Sequence, residues 1–163
     1  MDYQFKGGAQ LINNKKIKVL IVLADFYKDI SNNLLSGSSE FFKREKVSFD
    51  IIRVPGALEI AQTIKFFYET KEIKYDGFLA LGCVIKGDTY HFEVVANESA
   101  RALSNLSIQF SIPIANGILT TYNKSQAIKR SESDMLNKGK ESALACLSLI
   151  KIKQKLYKID KKV

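Results

Sequence analysis

An aromatic ring, a carboxylate and an imidazole stand where apolar runs of this chain give way to helical patterns. Phe26 follows the first run in Asp25-Phe26-Tyr27, and Glu59 follows the second in Val54-Pro55-Gly56-Ala57-Leu58-Glu59. The third run leads through Gly82-Cys83-Val84-Ile85-Lys86-Gly87-Asp88-Thr89-Tyr90 to His91, the only histidine of the chain. Such a set suits a flat polar heterocycle with a hydroxylated arm and an anionic group. Gly87-Asp88-Thr89 ahead of a helix offers successive backbone N–H groups to an anion. Each residue also has a plain structural reading: Phe26 as core, Glu59 as an acid at a positive helix end, His91 as a structural histidine, and Gly87-Asp88-Thr89 as a turn with a cap. Neither a Walker loop nor Gly-x-Gly-x-x-Gly is present, and metal-ligand spacing is absent. The expectation is chemistry run by side chains and substrate, with no cofactor and no metal.

The elements that must carry these residues alternate. Ile17–Ala24 is a near-continuous apolar run, as a strand covered on both faces requires. Leu34, Leu35, Phe41 and Phe42 recur at helical spacing from about Ser31 to Lys46, with Asp29 or Ser31 available as N-cap. The run Ser36-Gly37-Ser38-Ser39 inside it reads as a close-packing site rather than a loop. Val47–Val54 is a second strand ended by Pro55-Gly56, and Ala57, Ile60, Ala61, Ile64 and Phe67 make a helix face. Tyr75–Cys83 and Ile112–Thr120 are further strands, separated by a long helix striped by Phe92, Val95, Ser99, Ala102, Leu103 and Leu106. A short helix over Ser125–Arg130 and a long one over Lys138–Tyr157 close the pattern. Alternating strands and helices imply a parallel sheet, and right-handed crossovers lead to a flavodoxin-like three-layer α/β/α sandwich with a four-stranded parallel sheet. Residues 16–163 read as a single domain, whereas residues 1–15 lack the pattern and form either an arm or an extra edge strand.

Composition bounds the partners. At 163 residues and 18.4 kDa, with 46% hydrophobic and 26% charged residues, the chain has enough core for one globular domain without staples. The first apolar run is broken by Lys18 and falls far short of the roughly 20 residues of a membrane span. Two distant cysteines, Cys83 and Cys146, fit a reducing compartment. The expectation is therefore a soluble cytoplasmic protein with no membrane partner. The net charge of +8 is concentrated in Lys151, Lys153, Lys155, Lys158, Lys161 and Lys162. With no RNA-binding or zinc-finger motif beside them, these lysines read as a solvated helix end suited to the negative helix pole, not as a nucleic-acid patch.

Taken in order, the motifs resemble a family. Val54-Pro55-Gly56-Ala57-Leu58-Glu59-Ile60, the stretch Gly82 to Glu93, Pro113-Ile114-Ala115-Asn116-Gly117-Ile118-Leu119-Thr120-Thr121, Ala127-Ile128-Lys129-Arg130 and Asn137-Lys138-Gly139 are similar to those of lumazine synthases. The similarity runs from about Lys16 to Tyr157. It implies a cofactor-free condensation of 5-amino-6-(D-ribitylamino)uracil with (3S)-3,4-dihydroxy-2-butanone 4-phosphate to 6,7-dimethyl-8-ribityllumazine, the penultimate step of riboflavin biosynthesis. It further implies that Phe26 stacks on the pyrimidine, that Ala57 and Leu58 offer backbone groups, and that Glu59 accepts ribityl hydroxyls. Cys83, Val84 and Ile85 would line the ring pocket, Asp88 and Thr89 would hold phosphate with Arg130, and His91 would shuttle protons. Three positions depart from the commoner pattern: Asn116 where many members carry phenylalanine, Asp134 where lysine is frequent, and Asp88 beside the phosphate site. The two acids motivate a rival reading, a non-catalytic member that holds lumazine or flavin.

Topology adds an independent expectation. Phe26, Glu59 and His91 fall at the carboxyl ends of the first three strands, whereas Asn116 enters the fourth near its start and Arg130 returns toward that far edge. Strands of ~17–20 Å separate the two sets too widely for one metabolite. A second copy must then bring Asn116, Arg130 and Lys138 to the first copy's site, through a head-to-tail ring. The resemblance implies that the ring is a pentamer, alone, paired or built into a shell of sixty chains, with riboflavin synthase as a candidate partner. The Arg130–Lys138 connection carries Glu132, Met135 and Leu136, and leaves the higher assembly open.

Overall fold

The computed structural model describes residues 16–70, 72–132 and 136–159. Their order is β1 (Lys18–Ala24), α1 (Lys28–Arg44), β2 (Ser48–Val54), α2 (Leu58–Glu69), β3 (Gly77–Ile85), α3 (His91–Phe110), β4 (Ile114–Thr121), α4 (Lys124–Glu132) and α5 (Lys138–Ile159). The four strands form one all-parallel sheet in the order β2-β1-β3-β4. Pleating sends alternate β1 side chains to opposite cores. Val19, Ile21 and Leu23 join Ile30, Leu34 and Phe42 of α1 and Ala143, Cys146 and Leu147 of α5. Leu20, Val22 and Ala24 join Ile60 and Ile64 of α2 and Leu103 and Leu106 of α3. This is the flavodoxin-like three-layer sandwich read from the alternation of apolar runs.

The faces follow from handedness. The chain steps from β1 outward to β2, then reverses across the sheet to β3 and β4. Same-handed crossovers place α1 on one face and, after the reversal, α2 and α3 on the other. The reversal opens a crevice above the carboxyl ends of β1 and β3, where a ligand site is expected in such sheets.

Several boundaries differ from those read in the sequence. Helix α1 begins at Lys28, ahead of Ser31, and neither Asp29 nor Ser31 caps it; Tyr27 sits at the cap with no side-chain hydrogen bond. Ser31 is buried inside the helix, where its Oγ donates to the Ala24 carbonyl at 2.6 Å. The hydroxyl satisfies the last carbonyl of β1 instead of an N–H of its own helix. Strand β3 starts two residues later than Tyr75, whose hydroxyl lies outside the ladder and donates to Asp50 Oδ2 at 2.7 Å. Strand β4 begins at Ile114 because Pro113 has no N–H to give, although its carbonyl accepts from Phe78 N at 2.8 Å.

The small residues of α1 do serve close packing. A Cβ on Gly37 would fall 2.3 Å from Asn137 Oδ1, and one on Gly139 only 2.0 Å from the Leu34 carbonyl oxygen. Asn137 itself is buried, donating to Asn33 O at 3.0 Å and accepting from Lys140 N at 3.1 Å. The start of α5 is thereby fastened to α1. Near the other end of α5, Lys153 Nζ donates to the Ser111 carbonyl at 2.6 Å, while Lys161 and Lys162 lie outside the described residues, as do residues 1–15 and Asp134. Among the described residues no helix is long and apolar enough to cross a membrane.

Candidate active site

The carboxyl ends of β1, β2 and β3 and the helix starts that follow them enclose a cleft of about 280 Å³. Each wall comes from a different strand. From β1 come Phe26 and Tyr27; the Phe26 ring is 74% exposed and meets Tyr27 edge-on, centroids 5.0 Å apart. Nothing behind Phe26 buries it, so its face is available to a planar partner.

From the end of β2 come Gly56, Ala57, Leu58 and Glu59. Ala57 is buried at the cap position of α2, and Glu59 lies exposed in the first turn, where the helix dipole favours a carboxylate. Glu59 Oε2 would stand 3.0 Å from a Cβ on Gly56. A larger residue at 56 would push that carboxylate aside.

From β3 come Cys83, Val84 and Ile85, with Gly87, Thr89 and His91 beyond them and Phe92 and Val95 on α3. Burial pushes the Cys83 thiol up to about 12, so it is a neutral, packed wall. The ladder continues past the strand through Lys86 N to Thr121 O at 2.9 Å, and Lys86 Nζ lies 3.6 Å from Glu93 of α3. The loop is thus tied at its root and free at its crest, where residues 86–91 are exposed. Asp88 is exposed and is not part of the cleft lining. No described glycine has a positive φ, so what Gly87 supplies is the absence of a side chain; a Cβ there would meet nothing within 4 Å.

The remaining candidates are elsewhere. Asn116, Arg130 and Lys138 line a second, more open concavity of about 590 Å³ on β4, α4 and α5. Asn116 pairs in register with Ala80, and Ile85 is the last residue of β3. At ~3.3 Å per residue this puts Asn116 about 17 Å behind the rim of the cleft. Its Oδ1 accepts from Ile118 N at 3.0 Å, Arg130 Nη1 donates to the Gln126 carbonyl at 3.3 Å, and Lys138 Nζ pairs with Glu141 at 2.6 Å. The candidates therefore fall into two sets on two surfaces of one chain. Sequence reasoning missed Tyr27, Phe92 and Val95 as lining residues. The available signal was the spacing of Phe92 and Val95, one helical turn apart and directly after His91.

Known proteins resemble this chain over most of its length. Residues 16–154 match the profile of 6,7-dimethyl-8-ribityllumazine synthase. A protein of that name from Bartonella henselae is 48% identical over 147 residues, covering 90% of this chain and 95% of its relative. One from Bartonella tribocorum is 50% identical over 86% of this chain and 93% of its own length. In Rhizobium meliloti, 6,7-dimethyl-8-ribityllumazine synthase 1 is 43% identical over 87% of this chain and 95% of its own. With its parallel sheet, its cleft and this extent of similarity, the chain belongs to the 6,7-dimethyl-8-ribityllumazine synthase family.

Proposed function

We propose that this protein is a lumazine synthase, condensing 5-amino-6-(D-ribitylamino)uracil with (3S)-3,4-dihydroxy-2-butanone 4-phosphate, without a cofactor, in the cytoplasm. The observation that carries the reading is the cleft itself, where an exposed ring, a helix-start carboxylate, an open glycine loop and an imidazole face one volume. Phe26 stacks on the pyrimidine, a contact worth ~0.5–1.5 kcal/mol beyond its area. Backbone groups of Ala57 and Leu58 hold the ring edge, Glu59 accepts ribityl hydroxyls, and Cys83, Val84 and Ile85 close the wall. The phosphate rests on the loop at Asp88 and Thr89, the Asp88 side chain turned away, with Thr89 Oγ1 and backbone N–H groups as donors.

The amine at C5 attacks the ketone carbonyl, and water leaves as the imine forms. Phosphate is then eliminated, and the ribitylamino nitrogen closes the second ring with loss of another water. His91, at the first turn of α3, takes and returns the protons of imine formation and phosphate departure. Glu59 and Phe26 act by orientation, holding the two nitrogens toward the incoming carbon chain.

The separation of Asn116, Arg130 and Lys138 from the cleft supports a site completed by a neighbouring copy. The neighbour's Arg130 pairs with the phosphate through its planar fork, with Lys138 and Asn116 beside it. A head-to-tail contact repeated around a closed ring serves every copy alike. We propose a pentamer or a multiple of pentamers, with riboflavin synthase as a candidate consumer of the product. The test mixes purified protein with both substrates and follows lumazine absorbance and phosphate release together. A rate no higher than the uncatalysed condensation overturns the enzymatic reading, and ligand binding without turnover favours a non-catalytic flavin- or lumazine-holding protein.

A further inference from the structure

We propose that Arg53 is a positioning residue for Phe26, its guanidinium setting the β1–α1 turn that aims the ring into the cleft. The inference rests on the reading that Phe26 stacks on the pyrimidine. A ring that is 74% exposed, with one edge-to-face aromatic neighbour in Tyr27, is held only weakly by packing. Its direction must come from the backbone that carries it.

That backbone is held from both sides by one side chain. On the β2 edge strand, Arg53 pairs in register with Leu23, two residues before Asp25. Its Nη1 donates to Asp25 Oδ1, and its Nη2 donates to Asn32 Oδ1 at 2.9 Å. Asp25 immediately precedes Phe26, and Asn32 lies in the second turn of α1. The fork thus spans the turn, fixing its entrance and its exit together. Other bonds tie the backbone around it: Asp25 N donates to Val54 O and Ser31 N to Tyr27 O, each at 2.9 Å, and Ser31 Oγ donates to the Ala24 carbonyl at 2.6 Å. No side chain caps the helix start, however, and these bonds leave the Asp25 and Asn32 side chains to the fork. A planar guanidinium reaches two acceptors at a fixed angle, which a lysine ammonium does not reproduce.

Both side chains of the ion pair keep solvent contact, Arg53 at 44% and Asp25 at 25%, so the pair adds little to global stability. Function, rather than folding, should register its loss. The test is a double-mutant cycle on the full-length enzyme with Arg53→Ala, Phe26→Ala and both together. In Arg53→Ala the KM for the ribitylaminouracil rises about two- to tenfold, the range open to a weakened stack. Its kcat stays within about twofold, the KM for the butanone phosphate is unchanged, and the melting temperature moves only a few degrees. In the Phe26→Ala background, Arg53→Ala adds no further effect, because the ring it aims is gone.

Additive effects of the two substitutions overturn the proposal and leave the assigned function standing, since Arg53 would then touch substrate or act elsewhere. No change of KM in Phe26→Ala overturns it together with the stacking role. Asn32→Ala, which breaks one arm of the bridge and leaves the ion pair, should give a smaller rise of the same kind. It serves as the probe should Arg53→Ala fold poorly, and an unchanged KM in it counts against the bridge.

Discussion

Cys83 illustrates how burial decides the chemistry open to a residue in the cleft. Desolvation lifts its thiol from the ordinary 9.0 to about 12, and Cys146, fully packed under the sheet, is lifted to about 12 as well. At pH 8 neither is a thiolate, and neither is a nucleophile. Native protein treated with iodoacetamide at pH 8 should leave both unlabelled on a timescale in which urea-unfolded protein labels both, as read by mass spectrometry. Rapid native labelling at Cys83 would contradict a neutral wall. Tyr75 is the third such group, raised from 10.0 to about 12 by burial first and by its hydrogen bond to Asp50 second. The sign follows from linkage: a folded-state pKa above the unfolded one means stability that is complete below pH 10 for the tyrosine and lost as pH rises toward 12. Urea midpoints of wild type and Tyr75→Phe should therefore run parallel up to pH 9 and converge above 10. Curves that stay parallel to pH 11.5 would show that the phenol ionises as easily in the fold as outside it.

Two glycines, one joining elements and one free of them, separate packing from function at the next scale. Gly139 starts α5 against α1, where a methyl group would sit 2.0 Å from a backbone oxygen that cannot turn away. Gly139→Ala should cost ~3 kcal/mol or more by overpacking, lowering the melting temperature by about 6–12 °C for a chain of this size. Gly87→Ala should leave melting within about 2 °C, since its φ is not positive and its surroundings are open. It should nonetheless raise the KM of the phosphate substrate by fillling the space above the loop, a change visible in steady-state kinetics. Equal melting losses in both variants would remove the distinction. The contrast also marks what the sequence conveys. The sheet was legible because β1 and β3 are apolar on both faces, and the cleft because ring, carboxylate and imidazole each follow a strand. The start of α1 was not, since Ser31 satisfies a strand carbonyl, a choice that local cap preferences do not contain. Nor was the Arg53 bridge, which joins residues 21 and 28 positions apart and exists only through the register of β1 with β2.

At the scale of the whole molecule the decisive feature is the distance between two sets of residues on one chain. Phe26, Glu59 and His91 meet at the cleft, and Asn116, Arg130 and Lys138 meet on β4, α4 and α5, with Asn116 about 17 Å from the cleft's rim at ~3.3 Å per residue. A side chain at the start of β4 cannot cross that gap. If each site takes its cleft from one copy and its arginine from the next, lesions in the two sets must complement. Glu59→Ala and Arg130→Ala proteins should each be nearly inactive, and light scattering should give each a mass that is a whole multiple of five chains. After co-refolding in equal amounts, about one quarter of the contacts in a head-to-tail ring pair an intact Glu59 cleft with an intact Arg130 neighbour. Activity should recover to about that fraction of wild type, in proportion to the mixed rings resolved by native mass spectrometry. Rings proven mixed yet still inactive would mean that one chain must supply both sets, and the two concavities would then need to be joined by a motion of α4 and α5.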